Sequence, residues 1–111
     1  MILRRLILLS FVSFTGLAES LPLEKLTLPK GYNIEVYASD VKNARQMALS
    51  ENGILFVGSR GGGVLTAVVD QDQDGKVDEV LQIAKDLTMP SGITIKDGDL
   101  YVAEVSRILK Y

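Results

Sequence analysis

Aspartates occupy positions 70, 72, 74 and 78 of one segment, 70–78, which reads DQDQDGKVD. Aspartates at loop positions 1, 3 and 5, a glycine at 6 and an acid at 9 reproduce the start of an EF-hand-type calcium loop. Ca²⁺ takes about six to eight oxygen ligands, and alternate residues of a tightly curled loop direct their carboxylates inward. The spacing therefore predicts a calcium site. Its ligands are the carboxylates of Asp70, Asp72, Asp74 and Asp78 and the main-chain carbonyl of Lys76.

The segment departs from that loop pattern at its end. Position 12 is Leu81, where an EF-hand has a bidentate glutamate, and an outgoing strand is expected where an EF-hand has a helix. Affinity for calcium is accordingly expected to be weak. The alternative is a solvated acidic hairpin turn that aspartate side chains stabilise by hydrogen bonds to nearby main-chain N–H groups.

Composition excludes several kinds of chemistry. The 111 residues include no cysteine, histidine or tryptophan. Disulfides, thiol nucleophiles, imidazole bases and zinc sites built from Cys or His are therefore excluded. The formal net charge of −2 argues against binding to nucleic acid, which is normally driven by a clustered basic surface.

Two further groups of residues lie next to predicted turns. Gly61-Gly62-Gly63 is expected to be a strand connection, because no Gly-Lys-Ser/Thr follows as in a phosphate-binding loop. Arg60, Glu104 and Arg107 border turns at one end of the predicted sheets. They are either part of a polar mouth for a sugar or a carboxylate, or ordinary solvated ends of strands.

The first 20 residues have the organisation of a signal peptide. Arg4 and Arg5 precede an uncharged run of 13 residues, 6–18, and Ala18-Glu19-Ser20 suits cleavage before Leu21. The run is shorter than the roughly 20 residues that a membrane-spanning helix needs. Residues 1–20 therefore predict export to the periplasm or the medium, with an uncleaved anchor or a buried helix as the alternative.

The remaining chain predicts an all-β fold. Residues 21–32 are expected to form an extended lead-in. After them, short apolar runs rich in β-branched residues alternate with turn signals such as Asn52-Gly53 and Asp97-Gly98, and no segment has a helical period. The predicted strands are 33–39, 44–50, 54–59, 64–69, 79–84, 92–96, 100–105 and 107–111.

An internal repeat refines this prediction. ALSENGILFVGS, from Ala48, resembles ITIKDGDLYVAE, from Ile93, at an offset of 45 residues. Repeats of about 40–45 residues made of four short strands are typical of β-propeller blades. Residues 33–111 are therefore expected to form a partial β-propeller, with a first blade at 44–84 and an incomplete second blade at 91–111. The alternative is two unrelated hairpins of similar composition.

In such a blade, successive turns alternate between the two ends of the sheet. The acidic segment 70–78 is then expected beside the Asn52-Gly53 turn. The turns at 60–63 and 105–106 and the crossover 85–91 are expected at the opposite end. A calcium ion bound at 70–78 would be structural, remote from any site at that other end.

The mature chain resembles the N-terminal region of the glucose/sorbosone dehydrogenase family. The strings that carry the resemblance are LPKGYNIEVYAS, NARQMALSENGILFVGSRGGGV, DQDQDGKVDEV and LTMPSGITIKDGDLYVAEVSRILKY, in this order. The resemblance implies an exported six-bladed propeller that uses pyrroloquinoline quinone (PQQ) with calcium. It also implies a sugar or aldehyde substrate and a separate electron acceptor.

The resemblance assigns no catalytic residue here. The family uses a histidine base, and this sequence contains no histidine. The chain is therefore expected to be an N-terminal part of such an oxidoreductase, inactive alone. The alternative is a non-catalytic exported propeller segment that binds calcium, carbohydrate or protein.

Overall fold

The computed structural model describes residues 21–111, so the predicted signal peptide, 1–20, lies outside the described residues. The chain divides into two units between Ile34 and Glu35. In the first unit, a short 3₁₀ turn, Leu23–Lys25, interrupts the lead-in that was expected to be extended throughout. Among residues 21–111, no helix has the length and apolar character needed to cross a membrane.

The second unit consists of antiparallel strands, which confirms the prediction of an all-β fold. Sheet A has the order β1-β2-β3-β4 and sheet B the order β5-β6-β7. Sheet A fills the segment 44–84 that was predicted to form one four-stranded blade. The strands are β1 (Ala44–Leu49), β2 (Leu55–Ser59), β3 (Leu65–Val69), β4 (Glu79–Ala84), β5 (Gly92–Lys96), β6 (Asp99–Ala103) and β7 (Ile108–Lys110).

The two repeated hairpins turn differently. In sheet B, Lys96 pairs with Asp99, and Asp97 and Gly98 both have positive φ (53° and 84°), the geometry of a two-residue type I′ turn. In sheet A, the Ser50 N–H donates to the Ile54 carbonyl across three residues, and of these only Gly53 has positive φ, 81°. The asparagine-glycine turn is therefore one residue longer than its aspartate-glycine counterpart.

Segment 33–39 forms no strand, contrary to the prediction from its alternating pattern. A strand requires a partner for its main-chain hydrogen bonds, and none of the described strands pairs with this segment. Tyr37, within this predicted strand, lies in irregular chain and is 39% exposed.

The two sheets pack face to face around one core. Leu65 of sheet A meets Ile93, Leu100 and Val102 of sheet B, and Leu65 and Val102 are fully buried. Alternation along each strand places apolar side chains on these facing surfaces, which is the main source of stability for paired sheets.

Gly58 allows the closest approach between the sheets. A Cβ built on Gly58 would lie 2.2 Å from the Pro90 carbonyl oxygen and 2.9 Å from Ile93 Cγ1. Any side chain at this position would therefore force the start of sheet B away from sheet A.

The turns lie at the ends that their alternation predicts. The Leu87 N–H donates to the Gly63 carbonyl, and the Val105 N–H donates to the Thr88 carbonyl. These bonds bring together the turn at 60–63, the crossover 85–91 and the turn at 105–106. At the other end, a Cβ on Gly53 would lie 3.2 Å from Gln73 Cγ, so the acidic segment lies beside the Asn52-Gly53 turn.

Candidate metal centre

The acidic segment 70–78 forms a closed loop between two paired strands. Val69, the last residue of β3, pairs with Glu79, the first of β4, and the Asp78 N–H donates to the Val69 carbonyl over 2.9 Å. Because β3 is almost entirely buried, the first residue of the loop is held where a core strand ends. We call residues 70–78 the acidic loop.

Asp70 organises the first half of the acidic loop. Its Oδ1 accepts the Asp74 N–H over 3.1 Å, and its Oδ2 accepts the Gly75 N–H over 2.9 Å. Gly75 has a φ of 87°, which places it in the left-handed region that glycine adopts without strain. Asp70 is 7% exposed, so these two N–H groups compensate for much of the cost of burying a carboxylate.

The other aspartates also accept main-chain N–H groups. Asp78 Oδ2 accepts the Gln71 N–H over 2.7 Å, and Asp74 Oδ1 accepts the Lys76 N–H over 2.8 Å. Each of these bonds leaves the second carboxylate oxygen of the same residue without a partner among the described residues. The side chains therefore shape the acidic loop and still offer acceptor oxygens.

Three of the predicted ligands come together. Asp70, Asp72 and Asp78 each place one carboxylate oxygen within 4.8 Å of the others. Asp74 is not part of this group, and its carboxylate is turned to the Lys76 N–H. Leu81, at the twelfth position, lies within β4 and brings no oxygen ligand. The arrangement offers a hard cation three carboxylates on one side of the acidic loop.

Tyr37 lies next to this cluster, which the sequence did not indicate. Desolvation raises the pKa of its phenol above 10.0, and the negative charge of Asp70 raises this pKa further. Asp78 and Asp74 act on the pKa of Tyr37 in the same direction. The pKa of the Tyr37 phenol therefore depends on the charge of the acidic loop, and a cation bound there would lower this pKa.

A second polar cluster lies at the opposite end of the sheets. The Glu104 side chain is 1% exposed and accepts hydrogen bonds from the Thr88 N–H and from Nε of Arg107. Arg107 is 61% exposed in its side chain. The hydrogen bond from Arg107, followed by that from Thr88, lowers the pKa of Glu104 below 4.5. Glu104 thus ties the crossover 85–91 to the β6–β7 turn, a partnership that spacing in sequence did not predict.

This bonding predicts a specific dependence of stability on pH. Because the folded-state pKa of Glu104 lies below its ordinary value, its contribution is present above about pH 4.5 and is lost as pH falls through the lower folded value. We expect Glu104→Gln to lower the midpoint of thermal unfolding at pH 7, with a difference from the wild type that narrows toward pH 3. Circular dichroism melts across this range measure the difference.

Glu51→Gln is the matched control, because Glu51 is exposed on a turn in sheet A. Its melting curves should follow those of the wild type across the range. A Glu104→Gln difference that stays constant with pH would contradict the role of the ionised carboxylate.

Of the remaining candidate residues, the three glycines have a structural role and Arg60 is exposed to solvent. Gly61-Gly62-Gly63 connects β2 and β3, as expected, with the Gly61 N–H donating to Asn43 Oδ1 over 3.3 Å. Arg60 is exposed at that turn. Arg60 makes no ion pair with any residue of the described chain, 21–111.

Comparisons with protein-family models, curated proteins and solved structures found no match.

Proposed function

We propose that this chain is a calcium-binding segment of an exported β-propeller, with the ion held by the acidic loop. The main observation behind this proposal is that Asp70, Asp72 and Asp78 each place one carboxylate oxygen within 4.8 Å of the others. The propeller architecture is supported by the 45-residue repeat and by the packing of sheet A on sheet B. Export is supported by the signal-like pattern of residues 1–20.

The residues present fit a calcium ion by their chemistry. Carboxylates are the ligands that Ca²⁺ prefers, and three are available together, with the Lys76 carbonyl as the neutral ligand that the sequence pattern suggests. Water molecules would supply the remaining oxygens of the six to eight that Ca²⁺ takes. With a loop already shaped by its own hydrogen bonds and no ligand at the twelfth position, we expect a dissociation constant of about 10⁻⁴–10⁻³ M, as in extracellular modules.

A calcium titration tests this proposal. It also shows whether the ligands are the three aspartates that converge in the structure or all four that the sequence pattern suggests. We expect Asp72→Ala and Asp78→Ala to weaken binding at least about tenfold, because each removes a converging anionic oxygen. Asp74→Ala should weaken it less, since the Asp74 carboxylate is not among the three that converge. Isothermal titration calorimetry gives the affinities. Because the chain contains no tryptophan, tyrosine fluorescence can be followed as well, and Tyr37 is the tyrosine that lies next to the acidic loop.

Asp99→Ala is the control, because it removes the same side chain from sheet B. Its partner there is Lys110, at 2.6 Å in a surface ion pair of small energetic value. The control should bind calcium as the wild type does. The absence of any calcium-dependent change at several millimolar would leave the acidic hairpin turn as the correct interpretation.

The second candidate function is that of a PQQ-dependent oxidoreductase acting on sugars or aldehydes. This candidate is favoured by the resemblance of the chain to the glucose/sorbosone dehydrogenases, in the residue strings from LPKGYNIEVYAS to LYVAEVSRILKY. PQQ, when bound in such enzymes, accepts the hydride of the substrate. No residue of this chain fits the role of the histidine base, so we assign none of its residues to PQQ or to a reaction step.

This candidate predicts that the 111-residue chain has no dehydrogenase activity. A positioned general base typically contributes about 10²–10⁴-fold to rate, and the chain contains no imidazole. We expect no dye reduction above the protein-free rate with glucose or an aldehyde, PQQ and Ca²⁺ present. Turnover by the purified chain would overturn this expectation. PQQ binding without turnover, detected by absorbance, would favour the oxidoreductase over the non-catalytic alternative.

A further inference from the structure

Basic side chains gather at one end of the two sheets. The turns at 60–63 and 105–106 and the crossover 85–91 meet there through the main-chain hydrogen bonds described above. The start of β1 belongs to the same end, because Asn43 accepts the Gly61 N–H and Ala44 pairs with Ser59. We call this end the basic end, after five exposed side chains: Lys42, Arg45, Arg60, Lys85 and Arg107.

Acidic side chains balance only part of this charge. Glu104 is buried and ion-paired with Arg107, and Asp86 is the exposed acidic residue of the crossover. Most acidic groups lie at the opposite end, in the acidic loop and at Glu51 and Asp97. A five-residue strand is about 17 Å long, which exceeds the Debye length of about 8 Å at physiological ionic strength. The acidic end therefore leaves the basic end largely unscreened.

Two apolar side chains are exposed among these basic groups. Met89, in the crossover, is 39% exposed, and Val105, in the β6–β7 turn, is 68% exposed. The Val105 N–H donates to the Thr88 carbonyl over 3.2 Å, so the two side chains project from neighbouring main chain. We call Met89 and Val105 the apolar tip.

The fold holds Met89 in an unfavourable conformation. Its φ of 50° lies in the left-handed region, which long side chains seldom adopt. The Thr88 N–H, just before it, donates to Glu104, and Pro90, just after it, is fully buried. Strained main chain of this kind persists where its surroundings impose it, and it is concentrated at binding sites. The exposure of Met89 is therefore imposed by the packing of the crossover.

We propose that the basic end binds the surface of a membrane that contains anionic lipids, with the apolar tip entering the headgroup layer. Exposed Lys and Arg side chains near such a surface are attracted by the lipid phosphates. Apolar side chains beside them gain by leaving water for the boundary between headgroups and acyl chains. The acidic end is repelled by the same surface, so the division of charge also orients the molecule.

The composition of the basic end favours a lipid surface over a protein partner. The centres of protein interfaces are enriched in aromatic residues and depleted in lysine. The exposed residues named at the basic end include two lysines, Lys42 and Lys85, and no aromatic residue. A stable protein interface also buries about 800 Å² on each partner around an apolar centre. An apolar tip of two side chains is small for such a centre.

Single cysteines test the proposed orientation, since the chain has no cysteine of its own. In the full chain, Val105→Cys carries an environment-sensitive fluorophore at the apolar tip, and Asn52→Cys carries it at the opposite end. Equimolar phosphatidylglycerol and phosphatidylcholine vesicles should shift the emission at position 105 to shorter wavelength and leave that at position 52 unchanged. Phosphatidylcholine vesicles should shift neither. A chelator is present throughout, so calcium at the acidic loop cannot bridge protein and lipid.

Charge reversal at two positions separates the basic end from the overall charge. Arg60→Glu and Lys96→Glu, each added to the labelled Val105→Cys chain, change the net charge equally. Arg60 is at the basic end and Lys96 adjoins the opposite turn; both are exposed and make no ion pair with the described residues, 21–111. Each basic residue near an anionic surface is worth roughly fivefold in affinity, so Arg60→Glu should weaken vesicle binding about 25-fold. Lys96→Glu should change it little.

Met89→Asn tests the apolar contribution. Asparagine tolerates a positive φ, so the substitution removes apolar surface without adding strain. In the same labelled chain, it should weaken vesicle binding while leaving its dependence on salt concentration unchanged. Arg60→Glu, by contrast, should reduce that dependence, because added salt screens the attraction that this variant has lost.

Several results would overturn the proposal. One is an emission at position 105 that does not respond to anionic vesicles, and another is equal weakening by Arg60→Glu and Lys96→Glu. Vesicle binding that inorganic phosphate abolishes at constant ionic strength would assign the basic end to free phosphate. Binding of polyglutamate without any response to vesicles would assign it to an acidic protein. Since calcium is chelated in every measurement, these outcomes leave the calcium proposal untouched.

Discussion

Gly58→Ala is expected to lower the free energy of unfolding by about 1–3 kcal/mol, the range of overpacked interiors. The added methyl group would lie 2.2 Å from the Pro90 carbonyl oxygen, closer than any van der Waals contact allows. Main chain cannot rotate away as a flexible side chain can, so the segment around Pro90 and Ile93 must shift. In a domain of this size, the midpoint of thermal unfolding should fall by about 4–8 °C for each kcal/mol.

Gly61→Ala is the matched control for this prediction. It makes the same chemical change in the connection that follows β2, but the nearest atom to its Cβ would be Asn43 Oδ1, at 3.9 Å. Neither glycine has a positive φ, so main-chain strain affects neither variant. Differential scanning calorimetry should show a large decrease for Gly58→Ala and little for Gly61→Ala. Equal decreases would contradict the close approach of the two sheets.

Local patterns predicted the strands well where turn residues mark both ends. β4 at Glu79–Ala84 and β5 at Gly92–Lys96 have the predicted bounds, because glycine, proline or aspartate lies next to each of them. The repeat also placed Gly58 opposite Ala103 at its offset of 45. It gave no sign that Gly58 is packed tightly against sheet B while Ala103 lies on the face of sheet B that does not meet sheet A, because that difference depends on which faces of the sheets meet.

Three features depended on contacts that a sequence pattern does not encode. Segment 33–39 alternates as a strand does, but a strand also needs a neighbour to pair with. Glu104 contacts Thr88, 16 residues away, through the fold. Asp74 has the spacing of a calcium ligand and one of its oxygens accepts the Lys76 N–H, yet the folded loop does not bring its carboxylate to those of Asp70, Asp72 and Asp78.

Asp70→Ala is expected to destabilise the chain by about 1–3 kcal/mol in the absence of calcium. The substitution leaves the Gly75 N–H without its acceptor and leaves the Asp74 N–H with only its longer bond to Asp72, where the loop begins at the end of a buried strand. Asp70→Asn retains one carbonyl oxygen at the same place, so it should lose less. Asp72→Ala, by contrast, removes an exposed carboxylate whose one hydrogen bond, to the Asp74 N–H, is long at 3.3 Å. It should hardly change stability without calcium.

Adding calcium to these variants decides between a metal site and an acidic hairpin turn. A ligand that binds only the folded state stabilises it by RT ln(1 + [L]/Kd), about 1.4 kcal/mol at ten times Kd. If the acidic loop is a calcium site, the wild type should gain this stability, and both Asp70→Ala and Asp72→Ala should lose most of the gain. If the aspartates only shape the turn, calcium should change none of the three melting curves, and Asp70→Ala should be destabilised equally with and without it. Asp72→Ala therefore separates the two functions of the acidic loop, because Asp72 belongs to the carboxylate cluster but contributes little to the shape of the loop.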